Sequence, residues 1–440
     1  GTENFAPGRR FGFFPAVSAG WVVSEEPFFP KNDYLVFMKL RATYGEVGND
    51  KIGGDRFLYL PSSYVEAPNK DFYKYNFGTA ASPNNSRMVI ENKIGNPGLT
   101  WEKARKFNFG VDMNLLNNHL TMTFDIFKES RNNILANRNT QPMTIGANLP
   151  AYNMGKMENK GWELEVNYRN QLRDLRYWLR FNYSFARNKV LFRDEVPKKY
   201  AYQMETGRRV NQFYGLLFDG YYNSWEEINA LDRPVSAWSG NKLQPGDVRY
   251  VDVNKDGKID DYDRVPVGYS PTPEIVYGFS LGFNWRGFDV SALFQGAGNV
   301  SIKYFGRSLW PFFNGHESAK TLILERWTQE RYEKGEPINF PRLSLSPNKA
   351  TDNNYKDSNL WIRNANYLRL KNIELGYTFM GKPVKALGVE SIRLYVSGSN
   401  LITWSKVIDP DPEAPSRSGN VEINTYPLQK IYNIGINVNF

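Results

Sequence analysis

The chain predicts an all-β fold, a transmembrane antiparallel β-barrel wall with long extracellular loops. Three observations predict it. The final residues, YNIGINVNF, alternate strictly: Tyr432, Ile434, Ile436, Val438 and Phe440 are apolar, and Asn433, Gly435, Asn437 and Asn439 stand between them. A strand of this kind shows one face to oil and the other to water. The same period recurs along the chain, to about 11 segments in all. The connections between segments alternate between short and long, as they do in outer-membrane barrels.

Taken in order, Phe11, Phe13, Val17, Ala19, Trp21 and Val23 share one parity in the first segment. Met38, Leu40, Ala42 and Tyr44 follow, with Lys39, Arg41 and Thr43 opposite. Phe107 to Leu115 and Leu120 to Ile126 form a pair around an Asn117–Asn118 turn. Trp162 to Tyr168 and Tyr177 to Phe185 form the next pair. Ile275 to Trp285 leads through an Arg286–Gly287 turn into Phe288 to Phe294. A long strand from about 361 ends at Phe379, Ile392 to Val396 marks another, and the C-terminal strand closes the series. Short connections fall near 24–34, 116–118, 170–175, 286–287 and 380–390; long ones fall near 48–99, 132–158, 188–273, 299–360 and 403–427.

Parity through the tight turns puts Ile275 to Trp285 (odd positions), Phe288, Val290, Ala292 and Phe294 on the lipid side. Ser280, Asn284, Asp289, Ser291 and Gln295 then face the lumen. Lys39, Arg41, Asp112, Asp125, Glu163, Glu165 and Arg180 also fall on the second face. Charges there cannot meet a dry core unpaired, so the lumen is wet or plugged.

Composition agrees. Aromatics make up 15% of residues, which suits strands and interfacial belts. Mean hydropathy is −0.55 and no run approaches 18 apolar residues, which excludes spanning helices but not strands. The absence of Cys argues against thiol catalysis, disulfide frameworks and Cys-ligated zinc. The net charge of +9 is dispersed: the longest basic runs are pairs such as Arg9–Arg10, so no nucleic-acid partner is expected. Single-chain bacterial barrels close with an even number of strands. An odd count predicts an open half-barrel whose upstream half lies outside this sequence.

Several stretches resemble SusC/RagA-type TonB-dependent outer-membrane transporters. They are DVRYVDVNKDGKIDDYDRVPVGYSPTPEIVYGFSLGFNWRGFDVSALFQG (247–296), LWIRNANYLRLKNIELGYTF (360–379), SGSNLITWSKVIDPDPEAP (397–415) and FGFFPAVSAGWVVSEEPFF (11–29). The resemblance implies a 22-stranded barrel around a plug. Residues 1–440 would then be the C-terminal half of the barrel, with the plug and first strands elsewhere. It also implies an importer of oligosaccharides or peptides in the bacterial outer membrane. Its energy would come from TonB, it would work with a SusD-like surface lipoprotein, and it would not be an enzyme. The competing expectation is a soluble, calcium-stabilised extracellular adhesin or glycan-binding protein.

The sharpest local motif is DVNKDGKIDDYD (252–263). Asp252, Asn254 and Asp256 stand at positions 1, 3 and 5 of an EF-hand-type loop. Gly257 is at 6, the Lys258 carbonyl at 7 and Asp263 at 12. Hard oxygen donors at this spacing predict one Ca²⁺, held more weakly than in EF-hands because Asp263 replaces the usual Glu. The remaining chemistry is sparse. His119 and His316 are expected to be solvated. The run from His316 to Arg331 is expected to form a loop helix on the rim. Asp409, Asp411 and Glu413 among prolines form a stiff acidic loop, read as structural.

Overall fold

The computed structural model describes all residues except 31, 52–55, 61–64, 67–73, 80–81, 88, 91–93, 141–148, 239–241, 307–308, 314–317, 345–351, 387, 408–410, 414–419 and 422–427; for 65–66, 74–76, 82–87, 89–90 and 420–421 only the backbone is described. One antiparallel sheet of 11 strands dominates it, each strand hydrogen-bonded to the next in chain order. These are β1 (Ala16–Val22), β2 (Leu35–Asn49), β3 (Glu102–Leu115), β4 (Leu120–Ala136), β5 (Tyr152–Leu172) and β6 (Leu175–Phe192). They continue as β7 (Ile275–Trp285), β8 (Phe288–Gly298), β9 (Tyr367–Met380), β10 (Ser391–Ser405) and β11 (Ile431–Asn439). The meander places all short turns at one end and all long connections at the other, as the loop lengths predict. β1 and β11 are the edges of the sheet. Among the described residues no helix is long and apolar enough to cross a membrane.

Two strand starts differ from the sequence reading. β1 begins at Ala16, leaving Phe11 and Phe13 outside it and exposed. The last ladder contact before it is the Pro15 carbonyl, which accepts from Glu46 N (2.8 Å). Pro15 has no N–H to return the bond. β9 begins at Tyr367, because Ile362–Asn364 leaves the barrel and pairs with Ser301–Lys303 inside the loops.

Register separates the faces. Leu179, Leu281, Ala292 and Ile373 stand directly opposite one another on four neighbouring strands. Leu281 and Phe283 are exposed on this apolar face, and Phe279 stacks on Phe294 (4.5 Å between centroids). The other face carries a continuous polar row: Lys39, Asp112, Thr123, Glu165, Asn182, Gly278, Gln295, Arg369 and Thr403. An Arg at Leu281, set in mid-membrane, should destabilise the folded protein by about 2–4 kcal/mol. Urea unfolding in lipid measures this; an unchanged midpoint would mean that the face assignment is inverted.

The strands are long, up to 21 residues in β5, whereas about 9–11 cross the hydrocarbon. The excess lies toward the long connections. There the two longest, 193–274 and 299–366, fold together into a dome with its own core. Leu216, Val248, Trp310, Phe340, Tyr355 and Trp361 are each at most 2% exposed. Short strands brace it, with Phe218–Tyr221 against Val248–Tyr250 and Tyr214–Gly215 against Val265–Pro266.

Candidate functional site

The polar face of the sheet is the first part of the site. Several of its charges are paired across strands, as partial burial favours. Arg41 on β2 reaches Asp112 (2.7 Å) and, across β3, Asp125 on β4 (3.0 Å). The strand it crosses carries Gly110, where a Cβ would lie within 2.7 Å of both the Asp125 carboxylate and the Arg41 guanidinium. The same device recurs on β8–β10. Arg393 joins Asp289 and Glu374, and Gly376 on the intervening strand leaves the space. Toward the short-turn end a recess of about 830 Å³ opens on this face, lined by Thr121, Glu165, Asn167, Trp178, Arg180 and Asn284. Asn284 and Asp289 are thus where parity puts them.

The second part lies beneath the dome. Arg369, on the polar face of β9, is 1% exposed. Its guanidinium contacts Asp411 and Glu413 at 2.6 Å each and donates to Thr403 Oγ1 (2.9 Å). Tyr367 donates its hydroxyl to the other Glu413 oxygen (2.6 Å), and Lys371 stands 3.6 Å away. The acidic loop after β10 is therefore drawn in and clamped against the barrel wall. Beside the clamp is a recess of about 500 Å³ that includes Gln295, Ser301, Tyr367, Lys371, Pro412 and Glu413. Asp409 lies outside the described residues. The sequence shows the acids but not their partner, 42 and 44 residues upstream.

The two loops of the dome are locked together by the segment 353–361. Asn353 accepts from Ser236 Oγ (2.9 Å) and donates to the Val248 carbonyl (2.6 Å). Asn354 accepts from Val248 N (2.8 Å) and donates to Asp247 (2.8 Å). Lys303 pairs with Asp357 (2.8 Å). Side-chain amides here do what a sheet ladder does elsewhere, satisfying buried backbone groups. The run 316–331 is not a single helix. Thr321–Glu325 is a 3₁₀ turn and a new helix starts at Gln329, capped by Thr328, whose hydroxyl accepts from Arg331 N. Between them Trp327 is buried in the dome core. His316 lies outside the described residues; His119 Nδ1 sits 3.0 Å from the Arg169 carbonyl in a short turn.

The 252–263 loop belongs to the dome segment 193–274, with residues 255–258 exposed. Gly257 has φ +81°, as its position requires. Asp252 accepts from Lys255, Asp256 and Gly257 N, the closest at 2.6 Å. Asn254 donates to Asp256 (3.0 Å), and Lys258 N donates to Asp256 (3.0 Å). Asp263 is wholly buried and accepts from Val253, Asn254 and Asp260 N. Burial raises its carboxyl above the usual carboxylate range, and Asp252 adds to the rise. Among the described residues no three His, Cys, Asp or Glu side chains gather into a ready ligand set. The oxygens of the loop are spread along it, engaged with backbone N–H groups.

Residues 1–401 match the family described as TonB dependent receptor-like, beta-barrel. The chain belongs to that family. It is 26% identical to TonB-dependent receptor P3 of Formosa agariphila and 26% identical to TonB-dependent receptor SusC of Bacteroides thetaiotaomicron. Both alignments cover 100% of this chain but only 43% and 41% of those proteins. The chain thus spans less than half the length of these relatives. In fold it is similar to the RagAB peptide importer in its open-open state, with TM-score 0.70 and 23% identity over 99% of this chain and 44% of that one. The family is one of outer-membrane transporters, and this chain carries an 11-stranded antiparallel sheet of that β-barrel fold. This membership displaces the soluble-adhesin expectation.

Proposed function

We propose that residues 1–440 form the dome-bearing half of the wall of an active importer for oligosaccharides or peptides too large for porins. One observation carries the reading: a polar, ion-paired barrel face lies under a folded dome built from the two longest loops. A passive channel has no need of such a dome; a receptor that must present a shaped surface to a ligand or a lid does. The barrel would be completed by strands outside this sequence pairing with β1 and β11, since lipid offers no hydrogen bonds to open edges. A plug beyond this sequence would close the lumen and couple it to the TonB complex. A SusD-like lipoprotein would sit on the dome. Deleting the coding sequence should abolish uptake of labelled oligosaccharides or of labelled peptides, and collapsing the proton gradient in wild-type cells should do the same. Unchanged uptake of both classes after deletion would overturn the proposal.

We propose further that the 252–263 loop takes one Ca²⁺ through Asp252, Asn254, Asp256, Asp263 and the Lys258 carbonyl, with oxygens at about 2.3–2.6 Å. The buried Asp263 carboxylate, which has no cationic partner among the described residues, supports it. Binding requires Asp252, Asp256 and Asp263 to exchange backbone contacts for the ion. Titration calorimetry should give one site that Asp256→Ala removes. Equal Ca²⁺ uptake by both proteins would refute it.

A further inference from the structure

The apolar face of the sheet changes character abruptly toward its long-connection end. Up to Tyr44, Phe107, Ile126, Trp162 and Phe185 it is aromatic or aliphatic, and Trp162 stacks on Tyr183 (4.8 Å between centroids). One side-chain position further, with the same parity, Lys128 on β4 stands directly opposite Lys160 on β5, and Lys160 directly opposite Arg187 on β6. The next row brings Arg105 on β3 and Lys189 on β6.

Like charges directly opposite one another destabilise a sheet, yet here three cations stand in a line. Carboxylates relieve this only in part. Glu158 serves both Lys128 (2.8 Å) and Lys160 (3.9 Å), Glu46 takes Arg105 (2.8 Å), and Arg187 turns to Glu274 (2.8 Å). Lys189, exposed, stands directly opposite Glu158 as a third cation on that one carboxylate, and Lys156 on the same strand as Glu158 is exposed too. The Lys128 and Lys160 side chains are 56% and 66% exposed, so their ammonium groups share Glu158 while still open to the surface.

We propose that this patch binds the phosphate groups of lipids in the adjoining leaflet. Its position identifies the occupant. The row is continuous with the lipid-facing band and on the same side of the sheet, so the layer it meets is the headgroup layer rather than the lumen. Lysine stems lie along apolar surface and lift their charge into that layer. An anionic headgroup supplies the negative charge that the sheet lacks at this row, and it would hold the barrel at a fixed depth beneath the dome.

The test uses the full-length receptor carrying this sequence, purified in nonionic detergent and followed by native mass spectrometry. The probes are a diphosphorylated lipid A, the same lipid stripped of phosphate, and inorganic phosphate. The wild type should retain the phosphorylated lipid. Combined Lys128→Gln, Lys160→Gln and Lys189→Gln should weaken retention at least about tenfold. These side chains are exposed, so the substitutions leave the fold in place, and the corresponding Arg triple variant should retain the lipid. Equal retention by the Gln variant would overturn the proposal. So would equal retention of the dephosphorylated lipid, or inorganic phosphate binding as tightly as the phosphorylated lipid. Transport plays no part in the readout, so the result is independent of the substrate.

Discussion

Trp361→Ala should unfold the dome and leave the barrel sheet standing. The indole is 1% exposed and lies stacked on Tyr355 (5.3 Å), with Trp310 at 5.9 Å and Phe340 at 6.1 Å. Its Nε1 donates to the Asn354 carbonyl (2.7 Å), and its own carbonyl accepts from Tyr304 N (2.8 Å). Truncation removes the transfer energy of a large ring, leaves a cavity among three aromatics and orphans a buried carbonyl. Changes of this type cost about 3–5 kcal/mol. None of these contacts is part of the barrel ladder, so the loss falls on the dome. Limited proteolysis should cut within 193–274 and 299–366 in the variant, while the strands stay resistant. Near-ultraviolet circular dichroism should lose its aromatic signal in step. A variant as protease-resistant as the wild type would show that the dome is held by the sheet rather than by its own core.

The barrel could be read from the sequence because lipid on one face and water on the other write a period of two into every spanning segment. Ile275 to Phe294 is a clear example, down to the Arg286–Gly287 turn, where both residues have positive φ. The pattern fades where that contrast ends. β5 extends up to Tyr152, but Lys156, Glu158 and Lys160 have water or headgroups on their side, so no alternation in hydropathy marks that part of the strand. The dome left no periodic trace at all. Its core draws on Leu216, Val248, Trp310 and Trp361, single residues from irregular segments, and its buried backbone is satisfied by Asn353 and Asn354, which read as loop residues. Pro15 stands in plain view in the sequence, but that it sets where the first strand begins becomes clear only once Glu46 is seen to be the partner of its carbonyl. The Asp-rich loop was legible as a turn, through Gly257 and its spacing, because a local motif needs no distant partner.

Arg369→Ala should release the acidic loop from the barrel wall at a cost of about 3–5 kcal/mol, the range for removing one member of a buried ion pair. Arg369 and Lys371 balance Asp411 and Glu413, two charges against two. Without Arg369, Glu413 keeps Lys371 at 3.6 Å and the Tyr367 hydroxyl, but Asp411 loses its cation. A half-buried carboxylate left in this way costs more than the pair contributed. The loop therefore leaves the wall rather than remain with an unmatched charge. The Glu413 amide, which donates to Asp411 Oδ1 (2.8 Å), reports on this directly, and its hydrogen exchange should accelerate by two to three orders of magnitude, about 3–4 kcal/mol of lost protection. Neutralising all three partners together, Arg369→Met with Asp411→Asn and Glu413→Gln, should recover much of the loss, because the one charge left, Lys371, is 29% exposed and reaches water. If the single variant exchanges as slowly as the wild type, the loop is held by its prolines and backbone and not by Arg369. If the triple variant is no better than the single one, the guanidinium acts through its hydrogen bond to Thr403 rather than through charge. With the clamp intact, Pro412 and Glu413 help line the recess that includes Gln295, Ser301 and Lys371, so release of the loop should enlarge it. In planar bilayers the Arg369→Ala receptor should accordingly show a higher residual conductance than the wild type.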